Sequence, residues 1–147
     1  MDMESVYIGR CACGEIHYEC SAEPLAAYNC HCLSCQQACG APFSTICVFS
    51  KEAVKITGVV AEYASDLKGT TDHFRTNFCR TCGTPLFAHS DVKPDVIIVR
   101  ATTLPDNAWR KPIADIWTIT LRPDIGLDTH IPKVYRSPPL LGGETYI

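Results

Sequence analysis

Short stretches in which apolar and polar residues alternate are the main pattern along this chain, and turn-forming residues bound each stretch. Alternation with a period of two is typical of a strand with one buried face. In the segment 15–20, Ile16, Tyr18 and Cys20 alternate with polar residues. Further strands are predicted at 43–49, 53–57, 59–64, 73–78, 85–89, 96–101 and 114–120. The pattern therefore predicts an all-β fold of short antiparallel strands, arranged as a sheet or a sandwich.

Helical periodicity is weak in this sequence. A helix of about one turn is predicted at 33–38, and a further turn is predicted near 105–109. From Arg122 onward the chain is rich in proline and glycine, which predicts irregular coil lying over the body of the protein. No repeat or linker interrupts the pattern, so we expect one domain spanning residues 1–147.

Composition narrows the possible partners. The chain has 147 residues, 46% of them hydrophobic, and a formal net charge of −3 with no run of lysine or arginine. A nucleic-acid partner is not expected, because such partners require a basic surface. The longest aliphatic run, 96–99, is too short to span a membrane, and the first ten residues lack the apolar segment of a signal peptide. These features predict a cytoplasmic protein.

Ten cysteines are the unusual feature of the composition. In a reducing compartment, clustered cysteines bind metal more often than they form disulfides. Cys20 and Cys47 lie within apolar strand patterns, so both are predicted to be small hydrophobic core residues. Most of the other cysteines form close groups.

Two of these groups resemble halves of one structural zinc site. Cys11 and Cys13 form one pair, Cys79 and Cys82 form the other, and a glycine follows each pair. The glycine allows a left-handed backbone, so that N–H groups can point at the sulfurs. Because each pair provides half of a tetrahedral site, we predict that the two pairs, here called the knuckles, share one zinc ion.

Two arginines adjoin the knuckles. Four thiolates and one Zn²⁺ carry two negative charges in excess. Arg10 and Arg80 each lie beside a predicted ligand, where they can offset this charge or be ordinary exposed residues. The sequence leaves both interpretations open.

A third group, here called the triplet, consists of Cys30, Cys32 and Cys35. Three protein ligands with an open fourth position are typical of a catalytic zinc site. Cys39 is the better candidate for a fourth ligand, because a short helix would bring it to the face of Cys35. His31 is a weaker candidate, since adjacent residues of an extended segment point in opposite directions. The sequence leaves open whether the site is closed or open.

Several motifs occur in an order that suggests a family. They are GRCACGEIHY, NCHCLSCQ followed by GAPF, FCRTCGTPLF, ADIW and IPKVY. In these motifs the chain resembles the glutathione-dependent formaldehyde-activating enzyme family, which shares its domain with centromere protein V. The resemblance covers roughly residues 5–138.

This resemblance implies an all-β zinc fold, often called a β-tent, related to small zinc-binding chaperones of vesicle-traffic GTPases. It implies that the knuckles form a structural zinc site and that Cys30, Cys32 and Cys35 hold a second, functional zinc. Because these three thiols are close together, the second zinc can be lost and the thiols can oxidise to a disulfide. It also implies formation of S-hydroxymethylglutathione from glutathione and formaldehyde, a carbon–sulfur lyase activity. Cys39 departs from the family pattern, in which the residue before the glycine varies.

Other side chains are candidates for accessory roles in such a reaction. His31 and His73 are candidates for the group that protonates the product oxygen. Arg75, Arg100 and Arg122 are candidates for binding the carboxylates of glutathione.

Two alternatives to this function follow from the same residues. In one, both zinc ions are structural and the protein is a non-enzymatic module that binds other proteins. In the other, the same open zinc acts on a different small thiol adduct. The number of thiols in the triplet does not distinguish these alternatives from the glutathione reaction.

Overall fold

Short strands account for most of the regular structure in the computed structural model, which describes residues 6–64 and 74–143. The strands are β1 (Tyr7–Arg10), β2 (His17–Cys20), β3 (Ala26–Cys30), β4 (Ser44–Ser50), β5 (Val54–Thr57), β6 (Ala61–Ala64), β7 (Phe74–Phe78), β8 (Pro85–Ser90), β9 (Val96–Arg100) and β10 (Asp115–Ile116). A single α-helix in these ranges, α1 (Leu33–Cys39), connects β3 to β4. Single 3-10 turns occur at Lys51–Ala53, Ala101–Thr103, Asp106–Ala108, Thr118–Thr120 and Pro139–Leu141.

The strands form two sheets. The smaller sheet has the order β1-β2-β5, and the larger has the order β10-β3-β4-β9-β8-β7-β6. All neighbouring strands are antiparallel except β10, which pairs in parallel with β3. In the described part of the chain, no helix is long and apolar enough to cross a membrane.

The two central strands, β4 and β9, are buried on both faces, and their alternation divides the apolar residues into two cores. Ile97 and Val99 of β9 belong to the core that also contains the residues of the smaller sheet. Ile98 belongs to the second core, which contains Ile116 and the three cysteines of the triplet. One core therefore joins the sheets, and the other surrounds a group of thiols.

Aromatic packing secures the smaller sheet against the larger one. The rings of Tyr18 on β2 and Phe87 on β8 meet edge to face with centroids 4.9 Å apart. The Tyr18 hydroxyl lies 2.6 Å from the hydroxyl of Thr103, which gives the buried phenol a polar partner. Gly9 is opposite Tyr18 across the strand pair, and a Cβ at Gly9 would lie 2.2 Å from the ring. Glycine at this position therefore makes room for the tyrosine.

The prediction of an all-β fold is confirmed, and the prediction of a helix at 33–38 is confirmed by α1. The predicted strand at 114–120 is wrong over most of its length: it ends at Ile116, because Trp117 adopts a left-handed backbone with φ of 58°. Strands β1 and β3 were not predicted. The sequence of β3 is AAYNC, which lacks a simple alternation because the strand is covered on both faces.

The aromatic contact between the sheets predicts a large loss of stability when it is removed. We expect Phe87→Ala to lower the free energy of unfolding by about 3–5 kcal/mol, because it leaves a cavity in the buried core. Val59→Ala is the control, since Val59 is 71% exposed, and its effect should stay within about 0.5 kcal/mol. Urea unfolding followed by circular dichroism measures both, and equal losses would contradict this packing.

Candidate metal centres

The knuckles are the turns of two hairpins, β1–β2 in the smaller sheet and β7–β8 in the larger sheet. The sulfurs of Cys11, Cys13, Cys79 and Cys82 all lie within 4.8 Å of one another. The Cys11 and Cys13 sulfurs are 3.6 Å apart, and those of Cys13 and Cys79 are 3.7 Å apart. Zinc–sulfur bonds of about 2.3 Å in a tetrahedron require sulfurs about 3.8 Å apart, so this group fits a zinc ion.

The backbone of each knuckle adopts the conformation expected from its glycine. Gly14 and Gly83 have φ values of 78° and 79°, in the left-handed region. The N–H of Ile16 donates to the sulfur of Cys11 at 3.3 Å, as expected for a thiolate that binds metal. The Gly83 N–H donates to the carbonyl of Cys79 at 2.7 Å and closes the second turn.

One hydroxyl joins the two knuckles. The N–H of Ala12 donates to Oγ1 of Thr84 at 3.1 Å, and the same oxygen lies 3.1 Å from the sulfur of Cys82. Hydrogen bonding with this hydroxyl is the main cause that lowers the pKa of Cys82, to about 5. At Cys82 this hydroxyl therefore favours the thiolate form that a metal requires.

Arg10 stabilises the backbone of the first knuckle. Its guanidinium donates to the carbonyl oxygens of Cys11 and Ala12, each at 3.1 Å. Arg80 is exposed beside the second knuckle. Arg10 thus places a positive charge near the sulfurs through the backbone of the turn.

The triplet lies in the second core, where β3 enters α1. Cys30 ends β3, Cys32 is the N-cap of α1 and Cys35 is in its first turn. The Cys32 sulfur accepts a hydrogen bond from the Cys35 N–H at 3.3 Å, so one ligand candidate also caps the helix. The three sulfurs lie within 4.8 Å of one another, and all three residues are buried. This arrangement also fits a metal ion.

The two candidates for a fourth ligand lie outside this group of sulfurs. Cys39 is exposed at the last residue of α1, which ends at Gly40 in a left-handed conformation. His31 is buried, and its Nε2 lies 2.9 Å from Oδ1 of Asp115. The geometry therefore brings three thiols together without Cys39 or His31. A fourth ligand would have to be another group.

Arg100 lies against the triplet. It ends β9 on the face that carries Ile98, its side chain is buried, and its Nη1 donates to the Cys35 sulfur at 3.1 Å. The pKa of Cys35 is well below its ordinary value, chiefly because the thiols of Cys30 and Cys32 hydrogen-bond to it, with Arg100 adding to the effect. Arg100 is therefore not available to bind a carboxylate at the surface.

A buried ion-pair network holds the loop that contains His31. Asp115 lies 2.9 Å from the imidazole of His31 and 2.8 Å from Nζ of Lys133. Burial alone would raise the pKa of Asp115, but hydrogen bonds from Lys133 and His31 lower it below its ordinary value. The carbonyl of His31 accepts bonds from the side chains of Gln36 and Thr120, both at 2.9 Å. These contacts position the loop between Cys30 and Cys32.

A narrow pocket leads from the surface to Cys30 and Cys32. Its volume is about 480 Å³ including the part open to solvent, and only a small part of it is wide enough for a water molecule. His89 and Lys93 are the partly exposed basic residues of its lining. The walls are mostly apolar: Ile46, Phe74, Val96, Ile98, Ile116, Trp117 and Leu141. The pocket therefore suits a ligand whose slender part reaches inward while its polar end stays at the mouth of the pocket.

Several other predicted accessory residues lie apart from this pocket. Arg75 forms ion pairs with Glu62 and Asp91 on the larger sheet. Arg122 lines a separate groove beside α1. His73 lies outside the described residues.

The family comparison bears directly on these two cysteine groups. The family model described as "Glutathione-dependent formaldehyde-activating enzyme" matches residues 6–120, which include both groups. The chain belongs to this family. The resemblance found in the sequence motifs is therefore confirmed, and glutathione–formaldehyde chemistry with metal binding by the two groups agrees with membership of the family.

The other comparisons concern the fold and close relatives. A solved structure, the crystal structure of a Rhodobacter sphaeroides protein from a structural genomics project, is similar with a TM-score of 0.54 and 21% identity. The match covers 71% of this chain and 97% of that protein. At this identity the likeness shows a shared fold. No curated protein matches the sequence.

Sequence reasoning did not find several residues around the triplet. Asp115, Lys133 and Trp117 come from distant segments, and His89 and Lys93 reach the pocket from the region of β8 and β9. For Arg100, in contrast, the sequence does carry a signal, because this charged residue directly follows the apolar residues 96–99. An arginine in a strand buried on both faces requires a specific partner.

Metal analysis tests the assignment of the exposed cysteines. We expect Cys82→Ala to lose about one zinc ion per chain, because Cys82 is one of four clustered sulfurs. Cys39→Ala is the matched control, since Cys39 is also exposed but lies outside both groups, and it should keep the native zinc content. Elemental analysis of purified protein measures both. Loss of zinc in Cys39→Ala would show instead that this thiol closes the second site.

The buried carboxylate of Asp115 predicts a second, metal-independent effect. We expect Asp115→Asn to lower the free energy of unfolding by about 1.5–3 kcal/mol at neutral pH, because it weakens hydrogen bonds to two basic groups. The difference should shrink as the pH falls through the lowered pKa of Asp115, where the native carboxylate also loses its charge.

Asp128→Asn is the control for this prediction. Asp128 is more exposed and pairs with Lys111 and His130, so its substitution should cost less. Denaturant unfolding of both variants with the same zinc content provides the measurement. Equal losses would show that the network around Asp115 does not stabilise the fold.

Proposed function

We propose that this protein is a zinc-dependent carbon–sulfur lyase that forms S-hydroxymethylglutathione from glutathione and formaldehyde. The observation that carries the proposal is the narrow pocket that ends at Cys30 and Cys32 of the triplet. Membership of the family supports the choice of glutathione and formaldehyde as substrates. We assign Cys30, Cys32 and Cys35 to the catalytic site.

The two cysteine groups have different roles in this proposal. The knuckles hold a structural zinc ion that links a hairpin turn of the smaller sheet to one of the larger sheet. The triplet would hold a second zinc through its three thiolates, and two of these residues, Cys30 and Cys32, line the pocket. A thiol that enters the pocket could then supply a fourth ligand. When bound there, zinc supplies a positive charge that lowers the pKa of a substrate thiol.

The pocket residues bind and orient the thiol. Lys93 lines the pocket with its side chain 35% exposed, and its ammonium lies 3.2 Å from the exposed carboxylate of Asp95. In the proposal this ammonium also attracts a carboxylate of glutathione. The apolar walls exclude water from the reacting groups. Because the pocket is narrow, the cysteinyl arm of glutathione enters it while the rest of the tripeptide stays at the mouth.

The reaction forms one bond and moves one proton. The thiolate sulfur attacks the carbonyl carbon of formaldehyde, the carbon–oxygen π bond opens, and the oxygen takes up the proton that the thiol released. His89 lines the pocket, and burial lowers its pKa, so that its imidazole is neutral at physiological pH and can pass this proton. All atoms of the thiol and the aldehyde are kept in the product.

Blocking the pocket tests this function without removing a cysteine. We expect the native chain to accelerate exchange between formaldehyde and S-hydroxymethylglutathione, measured by exchange NMR spectroscopy. Leu141→Trp should reduce the rate to the spontaneous value, because Leu141 lines the pocket. Leu25→Trp is the control, since Leu25 is 55% exposed and outside that lining, and it should keep the native rate.

Zinc content measured in parallel separates a blocked pocket from a lost metal. An undiminished rate in Leu141→Trp would show that the pocket is not the route to the site. A native rate equal to the spontaneous one would refute the enzyme and favour a non-enzymatic zinc module. Acceleration with a different thiol, but not with glutathione, would favour the third function considered above.

A further inference from the structure

Arg100 is the largest fully buried side chain among the described residues, and it carries a full positive charge. Only 2% of the residue is exposed. No carboxylate within the described ranges forms an ion pair with it, and its Nε and Nη2 have no hydrogen-bond partner there. A charge buried in this way is unfavourable unless a negative group compensates for it.

The triplet is the group that can compensate for this charge. Nη1 of Arg100 lies 3.1 Å from the Cys35 sulfur. Burial by itself lowers the pKa of Arg100, but the contact with Cys35 outweighs it and raises the pKa above its ordinary range. The contact is built into the sheet, because Arg100 pairs with Ile46 of β4 and follows Ile98 on the same face of β9. The guanidinium therefore has a fixed position against the thiols.

Charge balance distinguishes the triplet from the knuckles. Three thiolates and a divalent ion leave one negative charge in excess, which one guanidinium neutralises. Four thiolates leave two in excess, and two of the knuckle cysteines, Cys13 and Cys82, are exposed to water. The buried group is thus matched by a buried arginine that donates directly to a sulfur. The exposed group is stabilised by solvent, by backbone N–H groups and by Arg10, which donates to backbone carbonyls of the first knuckle.

We propose that Arg100 is a positioning residue that sets the charge of the triplet, so that the site retains a divalent metal on three thiolates and accepts one further thiolate. Without the guanidinium, the metal-bound triplet would be a buried anion, and an incoming thiolate would add a second negative charge in the same low-dielectric environment. The inference rests on the metal binding proposed above.

Metal release measures this role independently of turnover. Zinc transfer from the protein to a chromogenic chelator should show separate phases for the knuckles and the triplet. We expect Arg100→Met, which keeps the length of the side chain but removes the charge, to accelerate release from the triplet at least about tenfold. Release from the knuckles should not change. Cys82→Ala identifies the knuckle phase.

Two further variants separate charge from shape. Arg100→Lys keeps the charge, so its release rate should stay within about threefold of the native rate. Arg75→Met is the matched control, because Arg75 is partly exposed and paired with carboxylates, and its release should equal that of the native chain. If Arg100→Met does not fold, Arg100→Lys decides: retention supports the proposal, and loss of the triplet zinc overturns it.

The outcomes also distinguish this inference from the proposed function. A native release rate in folded Arg100→Met overturns the role of Arg100, whatever the activity. Faster release from the triplet in that variant, with no turnover by the native chain, refutes the enzyme and leaves the role of Arg100 in place. A native chain that binds zinc only at the knuckles overturns both.

Discussion

Burial of β9 on both faces is the constraint on which the rest of the structure depends. Its residues alternate between two environments, so that Ile97 and Val99 pack toward the smaller sheet while Ile98 and Arg100 face the triplet. A single short strand thus links an apolar core on one of its faces to the thiols of the triplet on the other. The geometry at the thiols follows from the packing that stabilises the sheets, because a shift of one residue in register would exchange the two faces.

The two cysteine groups differ in their surroundings more than in their chemistry. The knuckles are hairpin turns, in which a left-handed glycine and backbone N–H groups organise partly exposed sulfurs. The triplet is buried at the junction of β3 and α1, and a guanidinium replaces the solvent that stabilises charge elsewhere. An exposed, four-sulfur group suits a structural link, whereas a buried three-sulfur group beside a pocket suits chemistry on a bound thiol.

The segment after β10 completes the triplet site from a distance. Ile116 ends the strand, and the left-handed Trp117 turns the chain so that its side chain becomes a wall of the pocket. Asp115 directly precedes this turn and holds His31 and Lys133. A non-glycine residue with positive φ is uncommon and costs conformational energy. Here the strained residue is itself part of the pocket wall and lies two residues after Asp115, which ties the shape of the pocket to the loop of the triplet.

The sequence by itself determined the all-β class, most strand positions, the short helix, the family and the grouping of the cysteines, because alternation and metal-ligand spacing are local properties of the chain. Only the tertiary structure decided that Cys39 lies outside the triplet and that His31 faces Asp115. It also decided that Arg100 is buried against Cys35 rather than exposed. These facts depend on which strand faces meet and where distant segments pack, and no local pattern in a single sequence carries that information.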